Sequence, residues 1–269
     1  MSLTEPDPVR RRITAAQAAV MAQTDLMHRE FGRAASQWKL DGTRVTAVDH
    51  AISHGIIALL RQAFPDDQFF SEELAEGGGP WPVRARYSWV LDPVDGTNNY
   101  ATGLAHCAIS LALLEQGTPV YGVIYDFARK TLIHGGPGFG VWDGDRAARV
   151  RSEAANAQTL VAFHSPMEVG RYPGHAEAIV GNFKVRALGS STLHFAYVAV
   201  GILDGAVDHN VKIWDIAAAV PLIEAGGGQV QFIHPSPLPL QEFDLNMDRL
   251  FLVAGNAGVC RRLRDVLGV

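Results

Sequence analysis

The spacing of hydrophobic and polar residues predicts two helices near the start of the chain. Apolar residues recur at helical spacing over 8–37, and again from about Asp49 to the residue before Pro65. Asp49 suits a helix start, because a carboxylate there can accept backbone N–H groups that the first turn leaves unpaired. A β-prone piece at 45–47 precedes this second helix, and a strand is predicted at 68–71 after it.

The middle of the chain predicts a mostly antiparallel sheet. A loop rich in glycine and proline at 75–86 leads into an apolar strand at 87–91. That strand ends abruptly at the segment 92–97, Asp-Pro-Val-Asp-Gly-Thr. Three further strand-like runs, separated by turn residues, predict a meander: 107–114, 120–125 and 131–134.

After about residue 155 short strands and helices alternate, which is typical of an α/β unit. The predicted strands are 159–163, 183–187 and 250–253. The predicted helices are 174–180, 190–200, 214–225 and 259–266. We therefore predict two lobes of one compact unit, residues 1–155 and 156–269.

Composition narrows the class of protein. The chain has 269 residues, 48% of them hydrophobic, and a formal net charge of −5. This mild acidity argues against nucleic-acid binding, which needs a basic surface. Cys107 and Cys260 stand far apart among apolar residues and are expected to be buried thiols. With no secretory signal pattern at the N-terminus and no apolar run of about 18 residues, we expect a cytoplasmic protein and no membrane partner.

Three acidic motifs carry the candidate chemistry. Asp92 and Asp95 follow the apolar strand, and carboxylate oxygens are the ligands that Mg²⁺ prefers. Gly96 and Thr97 then offer backbone N–H groups and a hydroxyl suited to phosphate. A plain turn would not need an acid at the end of a buried strand.

The other two motifs indicate a metal site more strongly when they are combined with the first. Ser71-Glu72-Glu73 stands at the end of a predicted strand, although two adjacent acids alone are common on surfaces. Asp215 stands at the start of an apolar, buried helix, where a carboxylate needs a cation or hydrogen-bond donors.

Together these motifs resemble the inositol monophosphatase family of Mg²⁺-dependent, lithium-sensitive phosphatases. The family pattern D-P-[IV]-D-G-T-x-N stands at Asp92 to Asn99, and W-D-x-A-A…E-A-G-G begins at Trp214. V-T-x-x-D ends at Asp49, and G-E-E corresponds to 71–73, with serine in place of glycine. The resemblance implies an α/β fold, a five-layer α-β-α-β-α sandwich of the sugar-phosphatase type, and a homodimer.

The resemblance also implies the residues of the active site. Two or three Mg²⁺ ions would be held by Glu72, Asp92, the Val94 carbonyl, Asp95 and Asp215. Glu72 and Thr97, the latter hydrogen-bonded to Asp49, would orient and deprotonate the attacking water. The substrate would be bound by Asp95, Gly96, Thr97, Ser191, Asp208 and Asp215.

Three departures from the family pattern leave the substrate open. Asp208 stands where inositol-selective members often carry a glutamate, whereas Lys212 and Pro221 are features of histidinol-phosphatase-like members. The leading interpretation is a phosphomonoesterase acting on a small phosphorylated polyol, inositol monophosphate first. Histidinol phosphate is the alternative substrate, and nucleotide 3′-phosphate and fructose bisphosphate rank lower, because no basic cluster is evident for a base or a second phosphate. A regulatory binding protein of the same fold is the non-enzyme alternative.

Overall fold

The structure, a computed structural model, describes residues 7–39, 42–73 and 79–269. The helices in these ranges are α1 (Pro8–Met21), α2 (Thr24–Glu30), α3 (Ala47–Ala63), α4 (Thr97–Thr102), α5 (His175–Asn182), α6 (Ser191–Ala199), α7 (Ile213–Ile216), α8 (Ala219–Ala225) and α9 (Ala257–Leu267).

The strands are β1 (Ser36–Trp38), β2 (Arg44–Thr46), β3 (Gln68–Ser71), β4 (Trp81–Pro82), β5 (Tyr87–Asp95), β6 (Ala108–Glu115), β7 (Thr118–Asp126), β8 (Thr131–Gly136), β9 (Gly140–Asp143), β10 (Arg146–Ala148), β11 (Leu160–Phe163), β12 (Lys184–Arg186), β13 (Gly205–Val211), β14 (Gln229–Phe232), β15 (Glu242–Phe243) and β16 (Leu250–Gly255).

The first sheet has the strand order β10-β9-β8-β7-β6-β5-β3. Its neighbours are antiparallel except for β3 and β5, which are parallel. The central strands β5 and β6 are buried along almost their whole length, which explains their nearly continuous apolar sequence. Helices α1 and α3 pack on one face of this sheet.

The second sheet has the order β12-β11-β13-β16-β14. Strand β11 is parallel to β12 and β13, whereas β16 is antiparallel to β13 and β14. Helices α6 and α8 lie between the two sheets and share one apolar core with both. Helices α5 and α9 cover the outer face of the second sheet. The layers therefore follow the predicted order α-β-α-β-α.

The two sheets meet the middle helices at very short range. A Cβ added to Gly122 of β7 would lie 1.9 Å from the carbonyl oxygen of Ala218, which precedes α8. Only glycine allows this approach, because real Cβ contacts are much longer. The chain passes from the first sheet to the second between Ala148 and Leu160. The lobe boundary at residue 155 stays a prediction.

Two predicted helices are each interrupted. The stretch 8–37 forms α1 and α2, separated at residues 22–23, and then β1. The stretch 214–225 forms α7 and α8. Pro221 explains the second break, because it has no N–H for the carbonyl of Ala217 and its ring crowds that carbonyl. It is tolerated in the first turn of α8.

Several other predictions can be compared directly. Strands β4, β9, β10, β13, β14 and β15 were not predicted, and β4 lies within the stretch predicted to be a loop. Strand β13 carries three consecutive polar residues, Asp208, His209 and Asn210. The predicted loop 75–86 lies partly outside the described residues. Cys107 and Cys260 are buried free thiols, as expected. Within the described ranges, no helix combines the length and apolarity that a membrane span requires.

Candidate active site

Two acids of the segment 92–97 face one cavity because β5 has a bulge between them. Asp92 lies opposite Ser110 of β6 and Asp95 opposite Ala108, so three residue steps on β5 match two on β6. In a regular strand, residues three apart point to opposite faces. The extra residue brings both carboxylates to the same side, where both line the cavity.

Asp215 reaches the same point from the other half of the chain. It stands in the first turn of α7, directly after β13, and its Oδ2 accepts the backbone N–H of Lys212 at 2.7 Å. Helix α7 packs against β5. Carboxylate oxygens of Asp92, Asp95 and Asp215 all lie within 4.8 Å of one another.

This carboxylate cluster, Asp92, Asp95 and Asp215, carries negative charge without a matching cation. No salt bridge among the described residues includes any of the three. Burial, with repulsion from Glu72 and the other acids, raises the pKa of Asp92 well above its usual range. The same causes raise the pKa of Asp215, and burial raises the pKa of Asp95 to about 6. A hard divalent cation fits such an all-oxygen donor set.

Glu72 stands beside this cluster but is paired with a lysine. It follows β3, and its Oε1 accepts a hydrogen bond from Lys39 Nζ at 2.7 Å. Lys39 also contacts Glu73. Although burial lowers the pKa of an amine, the two glutamates raise that of Lys39 above its ordinary value. Lys39 follows β1, so the β1–β2 hairpin is tied to the cavity wall.

Thr97 connects the turn after β5 to the start of α3. Its Oγ1 lies 2.7 Å from the Val94 carbonyl oxygen and 3.1 Å from Asp49 Oδ1, and its single proton serves one acceptor at a time. Asp49 Oδ2 accepts the Thr46 N–H at 2.9 Å in a capping box. Burial raises the pKa of Asp49. The predicted contact between Thr97 and Asp49 is thus present.

Gly96 allows the turn to pass close to two other segments. Its φ is 82°, and an added Cβ would lie 2.9 Å from the His106 carbonyl oxygen and 3.3 Å from that of Gly189. Both the left-handed conformation and the close approach require glycine. Backbone of this turn therefore lines the cavity directly.

The two halves of the chain are hydrogen-bonded to each other at the cavity. Asp95 accepts the Thr192 N–H at 3.0 Å and also contacts the Ser190 hydroxyl. Ser190 is the N-cap of α6 as well. The side-chain amide of Asn99 donates to the carbonyls of His106, at 2.8 Å, and Leu188, at 2.7 Å. Asn99 is 7% exposed.

The cavity holds about 430 Å³ and admits a small molecule. Its lining includes the carboxylate cluster and two arginines, Arg44 and Arg249. The guanidinium of Arg44 lies 4.2 Å from the centre of the Trp38 ring, which is 65% exposed at the cavity mouth.

On the substrate side the predicted residues occupy different positions. Ser191 lines the cavity. Asp208 is 1% exposed and is not among the described residues of the cavity wall. Lys212, which had suggested a different substrate, donates through Nζ to the carbonyls of Leu245 and Met247 at 3.1 and 2.6 Å.

Among the wall residues that were not predicted from the sequence are Trp38, Arg44, His164 and Arg249. They belong to no motif and are far apart in the chain. One signal was present for His164, which directly follows the predicted strand at 159–163. Residues at the carboxyl ends of parallel strands commonly line ligand sites. Two histidines near the motifs, His194 and His209, are buried packing residues.

The sequence of this chain matches a known protein family. The profile of the inositol monophosphatase family matches residues 5–266. The chain belongs to the inositol monophosphatase family. Members of this family are metal-dependent phosphatases, and the carboxylate cluster of this chain offers a site that could hold the metal.

Individual relatives agree with the family assignment. An inositol-1-monophosphatase from Mesorhizobium japonicum is 34% identical over 265 residues, 92% of either chain. A protein from Xylella fastidiosa named Nus factor SuhB is 33% identical over 227 residues, 82% of this chain and 80% of the relative. The crystal structure of extragenic suppressor protein SuhB from Bartonella henselae has a TM-score of 0.83 at 27% identity, covering 95% of this chain and 97% of that one.

Proposed function

We propose that this chain is a Mg²⁺-dependent phosphomonoesterase that hydrolyses a small phosphorylated polyol, with inositol monophosphate as the leading candidate substrate. The observation that carries the proposal is the carboxylate cluster. Three acids, which form no salt bridge with any described residue, lie within 4.8 Å of one another on the wall of a cavity of about 430 Å³. Such a cluster costs stability unless a cation occupies it, so its presence argues for a functional metal site.

Some residues of the site would bind the metal, and others would orient and deprotonate the attacking water. Asp92, Asp95, Asp215, Glu72 and the Val94 carbonyl would hold Mg²⁺, which supplies positive charge to offset the phosphate oxygens and acidifies water. Glu72 Oε1 is also paired with Lys39, so the carboxylate would be shared between the metal and the amine.

Thr97 is placed to orient the attacking water. With its proton directed to Asp49, its oxygen can accept a hydrogen bond from water on the cavity side. Glu72, also on the cavity wall, would take the proton of that water. Backbone N–H groups of Gly96 and Thr97 would bind phosphate oxygens at the turn.

The contacts of the wall favour a polyol over histidinol phosphate. Lys212 is engaged by carbonyls outside the cavity wall, and Pro221 is buried in α8. Of the three departures from the family pattern, only Asp208 adjoins the cavity, through Ser191. The relatives named inositol-1-monophosphatase support the same choice.

The test is phosphate release in Mg²⁺ from myo-inositol 1-phosphate and from L-histidinol phosphate at equal concentration. We expect release with a preference for the inositol ester, and loss of release in EDTA and in Asp92→Asn. The control is Asp66→Asn, a change at an exposed acid on the surface. A preference for histidinol phosphate would overturn the substrate, and no metal-dependent release from either ester would overturn the activity.

A second candidate is a regulatory binding protein, favoured by the name Nus factor of the Xylella fastidiosa and Pasteurella multocida relatives. The Asp92→Asn variant separates the two, because it removes a metal ligand and leaves the surface intact. Rescue of a deletion strain by Asp92→Asn would favour binding, whereas rescue by the wild-type chain alone would favour catalysis. Cytoplasmic location, the homodimer and lithium sensitivity stay predictions.

A further inference from the structure

A second polar cluster lies on the wall of the cavity, away from the predicted metal ligands. His164 Nδ1 lies 3.0 Å from Ser191 Oγ, and Ser191 Oγ donates to Asp208 Oδ2 at 2.7 Å. His164 and Ser191 line the cavity, whereas Asp208 lies behind them. We call these three residues the His164 chain.

Both oxygens of the Asp208 carboxylate accept a hydrogen bond from the protein. Its Oδ1 accepts the Asn210 N–H at 2.9 Å, and its Oδ2 accepts the Ser191 hydroxyl. Its side chain is one methylene shorter than the glutamate often present at this position. It therefore acts on a substrate through Ser191 and His164 rather than by direct contact.

The bonds of the His164 chain determine where the protons lie. Ser191 has one hydroxyl proton, and Asp208 accepts it. The contact with His164 must then be a donation from Nδ1–H of the ring to the serine oxygen. In a neutral imidazole with its proton on Nδ1, Nε2 carries a lone pair and accepts hydrogen bonds.

A metal ion does not explain this cluster equally well. His164, His194 and Asp208 do offer ligand atoms within 4.8 Å of one another. However, His194 Nε2 accepts the Leu188 N–H at 3.1 Å, and Nδ1 of His164 is turned to Ser191. These bonds occupy one nitrogen of each ring, so hydrogen bonding accounts for the arrangement of the cluster without a cation.

We propose that His164 is a specificity-determining residue, which presents Nε2 as an acceptor to a hydroxyl on the alcohol part of the substrate. Ser191 and Asp208 are the positioning residues that fix its tautomer. The inference rests on the proposed phosphatase function and names its substrate class: a monophosphate ester whose leaving group carries hydroxyl donors. An ester whose leaving group has no hydroxyl besides the esterified oxygen leaves Nε2 without a partner and is disfavoured.

The test compares myo-inositol 1-phosphate with p-nitrophenyl phosphate, whose leaving group has no hydroxyl donor. The quantity measured is the ratio of the two kcat/KM values in Mg²⁺. His164→Gln places an amide atom near the position of Nε2, whereas His164→Asn retains a polar atom near Nδ1 only. His164→Leu removes both, and His54→Leu is the matched control on the exposed side of α3.

We expect His164→Asn and His164→Leu to lower the ratio by about five- to tenfold, the value of one hydrogen bond. His164→Gln should lower it by about twofold or less, mainly through KM for the inositol ester. An unchanged ratio in His164→Leu would overturn the inference. Retention in His164→Asn with loss in His164→Gln would also overturn it, because His164 would then act only as a support for Ser191.

The tautomer gives a second readout that does not depend on turnover. Long-range ¹H–¹⁵N spectra of the full chain, with the His164 signals assigned from the His164→Gln spectrum, report which ring nitrogen carries the proton. Protonation at Nδ1, lost in Ser191→Ala, supports the inference, and protonation at Nε2 in the wild-type chain overturns it. If neither myo-inositol 1-phosphate nor p-nitrophenyl phosphate is hydrolysed, the proposed function fails, and the tautomer alone decides the geometry of the His164 chain.

Discussion

Single carboxylates determine both the chemistry of this site and the loss of stability that it causes in the metal-free chain. Asp92 is 2% exposed, and its pKa is raised by burial and by its acidic neighbours. An ionised acid in such surroundings destabilises the metal-free chain, because its charge is neither hydrated nor paired. The same residue is one of the acids that the resemblance assigns to the metal ions.

Replacing Asp92 should therefore change stability and activity in opposite directions. We expect Asp92→Asn to melt several degrees higher than the wild-type chain in EDTA, because a buried charge is removed. Phosphate release should fall by about two to three orders of magnitude, as for loss of a main electrostatic contact. Thermal melting and a phosphate assay measure the two effects, with Asp66→Asn as control. A lower melting temperature in EDTA would contradict the repulsion argument.

The hydroxyl of Thr97 can be tested by a pair of substitutions. Thr97→Ser keeps the oxygen that contacts Val94 and Asp49 and should keep most of kcat. Thr97→Val keeps the shape without the hydroxyl and should lower kcat by about a hundredfold. Similar kcat values for Thr97→Val and Thr97→Ser would show that the hydroxyl is not required.

At the scale of elements, β7 packs closely against the residues before α8. Gly122→Ala places a methyl group against the backbone carbonyl of Ala218, which cannot move without shifting α7 and α8. We expect a loss of about 2 kcal/mol or more in the free energy of unfolding. Urea unfolding measures it.

Gly181→Ala is the matched control, because nothing lies within 4 Å of the added Cβ and the position is inside α5. This variant should be neutral or slightly more stable. Equal stabilities of the two variants would contradict the packing argument.

The helices and strands show what the sequence could and could not predict. The apolar runs of β5, β6 and β7 and the capped start of α3 depend on local pattern, and these were predicted within a few residues. Strand β13 was missed because Asp208, His209 and Asn210 interrupt its apolar pattern, although tertiary contacts bury Asp208 and His209. The motifs predicted the acids near the metal site, whereas His164 and Arg249 reach the cavity only through folding.

At the scale of the whole molecule, the carboxylate cluster makes stability depend on pH. Burial raises the pKa of Asp95 to about 6 in the folded chain, above its ordinary value of 3.8. The folded metal-free chain thus holds more protons than the unfolded chain over this range, and it loses stability as pH rises through it. Asp92 and Asp215 act in the same direction.

The Mg²⁺-induced rise in melting temperature should accordingly grow as pH increases from about 4.5 to about 7.5, because bound Mg²⁺ replaces the protons. Melting curves in EDTA and in millimolar Mg²⁺ across this pH range measure the difference. Asp66→Asn should behave as the wild-type chain does. A shift that is constant with pH, or absent, would contradict the assignment of the cluster as a metal site.

The cluster draws Asp92 and Asp95 from the first sheet and Asp215 from the helix after β13, while Asn99 bonds to Leu188 across the same boundary. Thermodynamic reciprocity follows from this shared construction. If alignment of the two halves raises the affinity for a cation by some factor, a bound cation must favour the aligned state by the same factor. Amide hydrogens along this boundary should then exchange more slowly with solvent when Mg²⁺ is present. The ion would stabilise the contact between the two halves in addition to its role in hydrolysis.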